Sequence, residues 1–124
     1  ANGPCAVSVG SVDESLVLSS FSNYDAGRRL VDLVAPGGVG ENGTTILSTV
    51  PSGYGYLSGT SMSTPWVSGV AALLASQNPG WTSEDLLRAL LAGAWRPPEA
   101  SVMGVGFGLP CPDALLGADT VCGR

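Results

Sequence analysis

The stretch "SGTSMSTPWVSGVAALL", residues 58–74, decides how the rest of the chain is read. A strand-like run ending at Leu57 gives way to apolar residues at helical spacing: Val67, Val70, Ala71 and Leu74 fall at i, i+3, i+4 and i+7. Ser61 stands at the junction. The first amides of a helix have no intrahelical partner and lie at the positive end of its dipole. A serine there can offer its hydroxyl to a substrate carbonyl while its own N–H faces the oxyanion that forms. Gly59 permits close approach, and Pro65 suits a first helical turn. Local physics alone favours the plainer reading, that Thr60 or Ser61 merely caps the helix.

Outward from this point, the sequence predicts an α/β arrangement. Residues 6–12, 16–21 and 30–35 read as extended, with Asp13-Glu14-Ser15 as a turn and Pro36-Gly37-Gly38 as a stop. Thr45–Val50 and Gly55–Leu57 flank a turn at Pro51-Ser52-Gly53. The helix opening near Met62 ends at Asn78-Pro79-Gly80. A second helix opens at Thr82-Ser83-Glu84-Asp85, where Thr82 can cap and Asp85 sits three residues on. Its apolar face is Leu86, Leu87, Leu90 and Leu91, and Gly93 ends it. Residues 104–108 read as a glycine-rich extended run and 112–116 as a short helix. No βαβ unit is complete, so the expected object is part of an α/β sheet whose remaining elements come from elsewhere.

Composition agrees with that picture. Of 124 residues, 44% are hydrophobic and 12% charged, which is core-rich for one domain. Ten acids against five arginines give a net charge of −5, and without a basic patch nucleic acid is excluded as a partner. No run of about 18 apolar residues predicts a membrane span. The chain opens Ala-Asn-Gly, which suggests processing or a piece of something longer. Cys5, Cys111 and Cys122 fit a secreted protein. Cys111 and Cys122 can close a small loop and leave Cys5 over, or all three are buried and reduced.

The full string "SGTSMSTPWVSGVAALL" closely resembles the nucleophile motif of the subtilisin-like serine proteases, the subtilases. The likeness runs nearly end to end. "AVSVGSVD" (6–13), "SSFSNYDAGRRLVDLVAPG" (19–37), "ILSTVPSGYGYLSGTSM" (46–62), "NPGWTSEDLLRALL" (78–91) and "GVGFGLPCPDALLG" (104–117) resemble the family's segments in order. The resemblance implies that residues 1–124 are the C-terminal part of a subtilase peptidase domain. The fold implied is the C-terminal portion of a three-layer α/β fold with a mainly parallel sheet. It further implies that Ser61 is the acylating nucleophile, with its backbone N–H as one oxyanion donor, and that Thr60, Met62 and Pro65 shape the elbow. Polypeptide would be the substrate and hydrolysis would pass through an acyl-enzyme.

Departures from the family pattern carry more weight than the match. The chain has no histidine at all, and the family's aspartate and histidine motifs, which precede the serine, do not occur. Asn2 lacks the context of the family's oxyanion asparagine. Trp66 stands where the family commonly has a non-catalytic histidine. Residues 38–45 are longer than the usual connection and predict a surface hairpin, within which Asn42-Gly43-Thr44 reads as a turn or a glycosylation sequon. A carboxylate base, as in the related sedolisins, would also lie upstream, and Glu84 and Asp85 are explained by helix capping.

The expected partners are therefore the N-terminal part of the same domain, a polypeptide substrate and a propeptide. The chain alone is expected to be close to inert. No cofactor is needed for the chemistry, and structural calcium, frequent in the family, finds no compact acidic loop. The competing expectation is a catalytically dead, subtilase-like interaction module.

Overall fold

The structure, a computed structural model, describes residues 6–24, 31–39, 43, 45–96, 98, 102–115 and 117. Its centre is a parallel pair, β1 (Val9–Val12) and β2 (Leu33–Pro36), in the register Val9↔Leu33 to Val12↔Pro36. Residues 107 and 108 run along the free side of β2: Val34 N–H donates to Gly108 O at 2.9 Å and Phe107 N–H to Asp32 O at 2.8 Å. Ser8 and Asp32 close the N-terminal end of the pair. The carboxylate of Asp32 accepts from the Ser8 amide and hydroxyl, both at 2.9 Å.

Strands buried on both faces need apolar residues in both directions, and β2 has them. Leu33 and Ala35 face α1 (Thr60–Gln77) and α2 (Ser83–Ala92), in a core with Val67, Val70, Leu74 and Leu90. Val34 points the other way and packs with Val12, Val31 and Val105. Val105 ends α3 (Val102–Val105). The architecture is α/β with helical cover on both faces of a parallel pair, as the sequence predicts.

Two further ladders are antiparallel. The hairpin of β3 (Ile46–Val50) and β4 (Gly53–Leu57) turns at Pro51-Ser52, with Leu47 opposite Tyr56 and Thr49 opposite Tyr54. It runs directly into α1. The short pair β5 (Ala94–Trp95) and β6 (Leu109–Pro110) joins the end of α2 to α4 (Pro112–Leu115).

Both principal helices match their sequence signatures. Along α1 the buried stripe is Ser63, Val67, Val70 and Leu74, the expected face extended one turn backwards. At α2, Thr82 is the cap: its hydroxyl accepts from Asp85 N–H at 3.2 Å, and the Asp85 carboxylate accepts from Thr82 N–H at 2.9 Å.

Two extended expectations fail, for visible reasons. Residues 16–21 form no strand. The Asp13 carboxylate takes the amides of Ser15 (2.8 Å) and Val17 (3.0 Å), and the chain doubles back with one isolated bridge, Val12↔Leu18. The run 104–108 is not extended either. It holds the end of α3 and a tight turn in which Gly106 (φ 59°) and Gly108 (φ 113°) lie against backbone. A Cβ at Gly106 would strike the carbonyl oxygens of Val31 and Asp32, and one at Gly108 the carbonyl oxygen of Trp95. Of the predicted surface hairpin at 38–45, residues 40–42 and 44 lie outside the described residues, as do Cys5, Cys122 and Asn2. Cys111 is buried.

Candidate active site

The elbow at residues 57–62 is built by a change of backbone geometry. Strand β4 ends at Leu57, and Gly59 takes φ 154° and ψ 164°, a conformation that L side chains rarely adopt. From Thr60 the chain is helical. Gly59 is the N-cap, and no side chain caps the helix start. The Gly59 carbonyl accepts the first turn's bond, from Met62 N–H at 2.9 Å.

Ser61 is thus the second residue of α1 rather than its cap, and it is exposed. The capping alternative for Ser61 fails on this geometry, since a cap has non-helical backbone. Its amide is among those that a helix leaves without an intrahelical acceptor. Hydroxyl and amide therefore stand together on an open surface at the positive end of an 18-residue helix. Among the described residues, Ser61 Oγ has no hydrogen-bonded base.

Pro65 is one turn deeper than the sequence suggests. It is the sixth residue of α1, so its missing N–H withholds the i−4 bond from the Ser61 carbonyl. Thr64 hydroxyl reaches back to the Thr60 carbonyl at 2.9 Å, which ties the first turn together beside that gap. Trp66 is half-buried and packs against the core of α1, β2 and α2, in keeping with a packing role.

Beneath the elbow lies a group of buried serines that sequence reasoning missed. Ser11, Ser19 and Ser63 are all buried. Ser11 Oγ and Ser19 Oγ are 2.8 Å apart, and Ser19 Oγ donates to Gly38 O at 3.0 Å. Ser63 Oγ finds no partner among the described residues. Serine is too common in turns and caps for its position in "GTSMS" to announce a buried hydroxyl.

Asp85 has the capping role expected of it, and Glu84 stands beside it in the first turn of α2. Glu84 also pairs with Arg88 at 2.7 Å on the exposed face of α2. Asp85 is held below the ordinary aspartate range, chiefly by the Thr82 hydroxyl, then by the Thr82 amide, with Arg88 adding to the effect. Among the described residues no three His, Cys, Asp or Glu side chains stand together as a metal site.

Fold and elbow define an α/β protein that presents an exposed serine on the first turn of its central helix. The Subtilase family model matches residues 1–108, and the chain belongs to that family. It is 47% identical over 103 residues to alkaline elastase YaB of Bacillus sp. (strain YaB), covering 82% of this chain and 25% of that protein. Against Subtilisin Savinase of Lederbergia lenta it is 38% identical over 103 residues, covering 82% of this chain and 35% of that one. Among solved structures, a protease of Pseudoalteromonas arctica superposes with a TM-score of 0.80 at 32% identity, over 93% of this chain and 36% of the other. The epidermin leader peptide processing serine protease of Staphylococcus aureus gives 0.77 at 27%, over 90% and 30%. The chain spans about a quarter to a third of the length of these relatives.

Proposed function

We propose that residues 1–124 are the nucleophile-bearing, C-terminal part of a subtilisin-like serine endopeptidase, with Ser61 as the nucleophile. The observation that carries this is the exposed Ser61 on the uncapped first turn of α1, behind a glycine elbow, in a chain of the Subtilase family. In the reaction, Ser61 Oγ attacks the scissile carbonyl carbon and a base accepts its proton. The Ser61 N–H donates to the oxyanion of the tetrahedral intermediate. The C–N bond then breaks, the leaving amine takes the proton, and water hydrolyses the acyl-enzyme.

No histidine occurs among the 124 residues, so the base and the aspartate that orients it are assigned to polypeptide outside them, together with the second oxyanion donor. That N-terminal part, a polypeptide substrate and a propeptide are the proposed partners. Secretion is the proposed setting, and a disulfide at the buried Cys111 fits it. No helix among the described residues is long and apolar enough to cross a membrane. Acyl transfer of this kind requires no cofactor, and structural calcium is left without an assigned site.

The second reading is a subtilase-like module that binds without cleaving, which holds if the polypeptide outside these residues supplies no base. A fluorophosphonate probe separates the two. Labelling of Ser61 in the native assembly, abolished by Ser61→Ala and absent from the isolated 124-residue chain, is the expected result. An assembly that carries a histidine yet leaves Ser61 unlabelled establishes the binding module instead.

A further inference from the structure

We infer that Gly37 is a positioning residue for the nucleophile: its missing side chain lets the end of β2 grip the elbow and fix where Ser61 sits. The inference rests on the reading of Ser61 as nucleophile.

Gly37 stands between the sheet and the elbow. Its N–H donates to Val12 O, at the end of β1, at 3.0 Å. Its carbonyl accepts from Gly59 N–H at 2.8 Å. Among the described residues, that is the one backbone hydrogen bond between residues 58–61 and the β2 end. Gly59 in turn frames Ser61, because its carbonyl accepts Met62 N–H across the serine. The coupling therefore runs sheet, Gly37, Gly59, Ser61, with two hydrogen bonds beyond Gly37.

Space is the requirement at position 37, since its φ lies outside the left-handed region where glycine has the advantage. A Cβ there would collide with the hydroxyls of Ser11 and Ser63 and stand 2.7 Å from Gly59 O. The two hydroxyls are ends of side chains and can rotate. The carbonyl of Gly59 is backbone and can move only by moving the elbow. Ser11 and Ser63 are both 0% exposed, so the wall has no open side into which to yield. Displacements of about 1 Å at a reacting atom cost up to about 10²-fold in rate.

The test compares four variants of the intact protein by the rate constant of Ser61 acylation with excess fluorophosphonate, and by kcat and KM on a peptide substrate. Each variant is assayed well below its own melting midpoint, where nearly all of it is folded, so that the rate constant reports the folded state. Gly37→Ala is expected to slow acylation at least tenfold and lower kcat in parallel, with KM changed less than threefold. Ser11→Ala/Ser63→Ala removes both hydroxyls and is expected to acylate at the parental rate. Adding Gly37→Ala to that pair leaves Gly59 O as the obstacle, so slow acylation is expected to persist while thermal stability recovers. Gly10→Ala is the control, because a Cβ at Gly10 meets side chains of Ser22, Val31 and Val34 at 3.1–3.2 Å and none of the elbow. It is expected to lower stability without slowing acylation.

A parent labelled at Ser61 with an equally fast triple variant overturns the positioning role alone, as does a Gly10→Ala protein slowed as much as Gly37→Ala. A parent never labelled at Ser61 overturns the nucleophile reading, and the positioning role with it.

Discussion

The hydroxyl of Ser63 is sealed against Gly37, 0% exposed, with no hydrogen-bond partner among the described residues. Leaving a buried hydroxyl unpaired costs about 1–3 kcal/mol. Ser63→Ala keeps the Cβ and removes the oxygen. It is expected to raise stability by about 1 kcal/mol, read as a higher midpoint in thermal or denaturant unfolding. A loss of stability would show that the oxygen is bonded in solution.

The capping box of α2 predicts both a mutational and a pH effect. Thr82→Ala removes the acceptor for Asp85 N–H and is expected to cost about 1 kcal/mol of stability. The Asp85 carboxyl, held down first by the Thr82 hydroxyl, has a lower pKa folded than unfolded. Its contribution is therefore complete above the ordinary value of 3.8 and is lost as pH falls through the folded value. Melting temperatures of the parent and Asp85→Asn should differ at pH 6 and converge as the pH drops below 3.8. A gap that stays constant across this range contradicts the assignment.

Leu74 joins the two principal helices to β2 and is 1% exposed. Leu74→Ala is expected to cost about 3 kcal/mol, the transfer of the lost carbons plus the cavity they leave. Leu73, its neighbour on the helix, is 50% exposed, so Leu73→Ala should change stability by less than about 0.5 kcal/mol. Denaturant midpoints of the two variants test the direction in which α1 faces.

Leu16 has a left-handed backbone, φ 62°, while its side chain packs beside Val12 and Val34. Leu16→Ile conserves the number of carbons but puts a β-branch where such residues are outliers. A loss of about 1 kcal/mol is expected. Equal stability of the two proteins would mean that the turn after Asp13 relaxes freely.

Much of this fold is legible in the sequence because the forces involved are local. The capping box needs Thr82 and Asp85 three residues apart, and the face of α1 needs only its period. Residues 16–21 mislead because β-favourable residues follow an aspartate whose carboxylate captures two amides, Ser15 and Val17, and closes a turn instead. Residues 104–108 mislead because a glycine-rich run is read as extended chain. Here Gly106 and Gly108 are present for positive φ and for contact with the backbone of residues distant in sequence. The site divides in the same way. The elbow at Ser61 is visible as a string of adjacent residues, whereas the Gly37–Gly59 bond and the buried Ser11, Ser19 and Ser63 depend on β2 being brought under α1. No spacing rule encodes that.

The β3–β4 hairpin has a practical consequence for anyone purifying this chain. Leu47, Tyr54, Tyr56 and Leu57 are 53%, 77%, 67% and 50% exposed, on a two-stranded ribbon whose outer hydrogen-bonding edges are unshielded among the described residues. Ribbons of this composition recruit further strands. Concentrated preparations should therefore turn cloudy before they unfold, and a lysine at Tyr54, far out on the ribbon, is the first substitution to make for a clear solution.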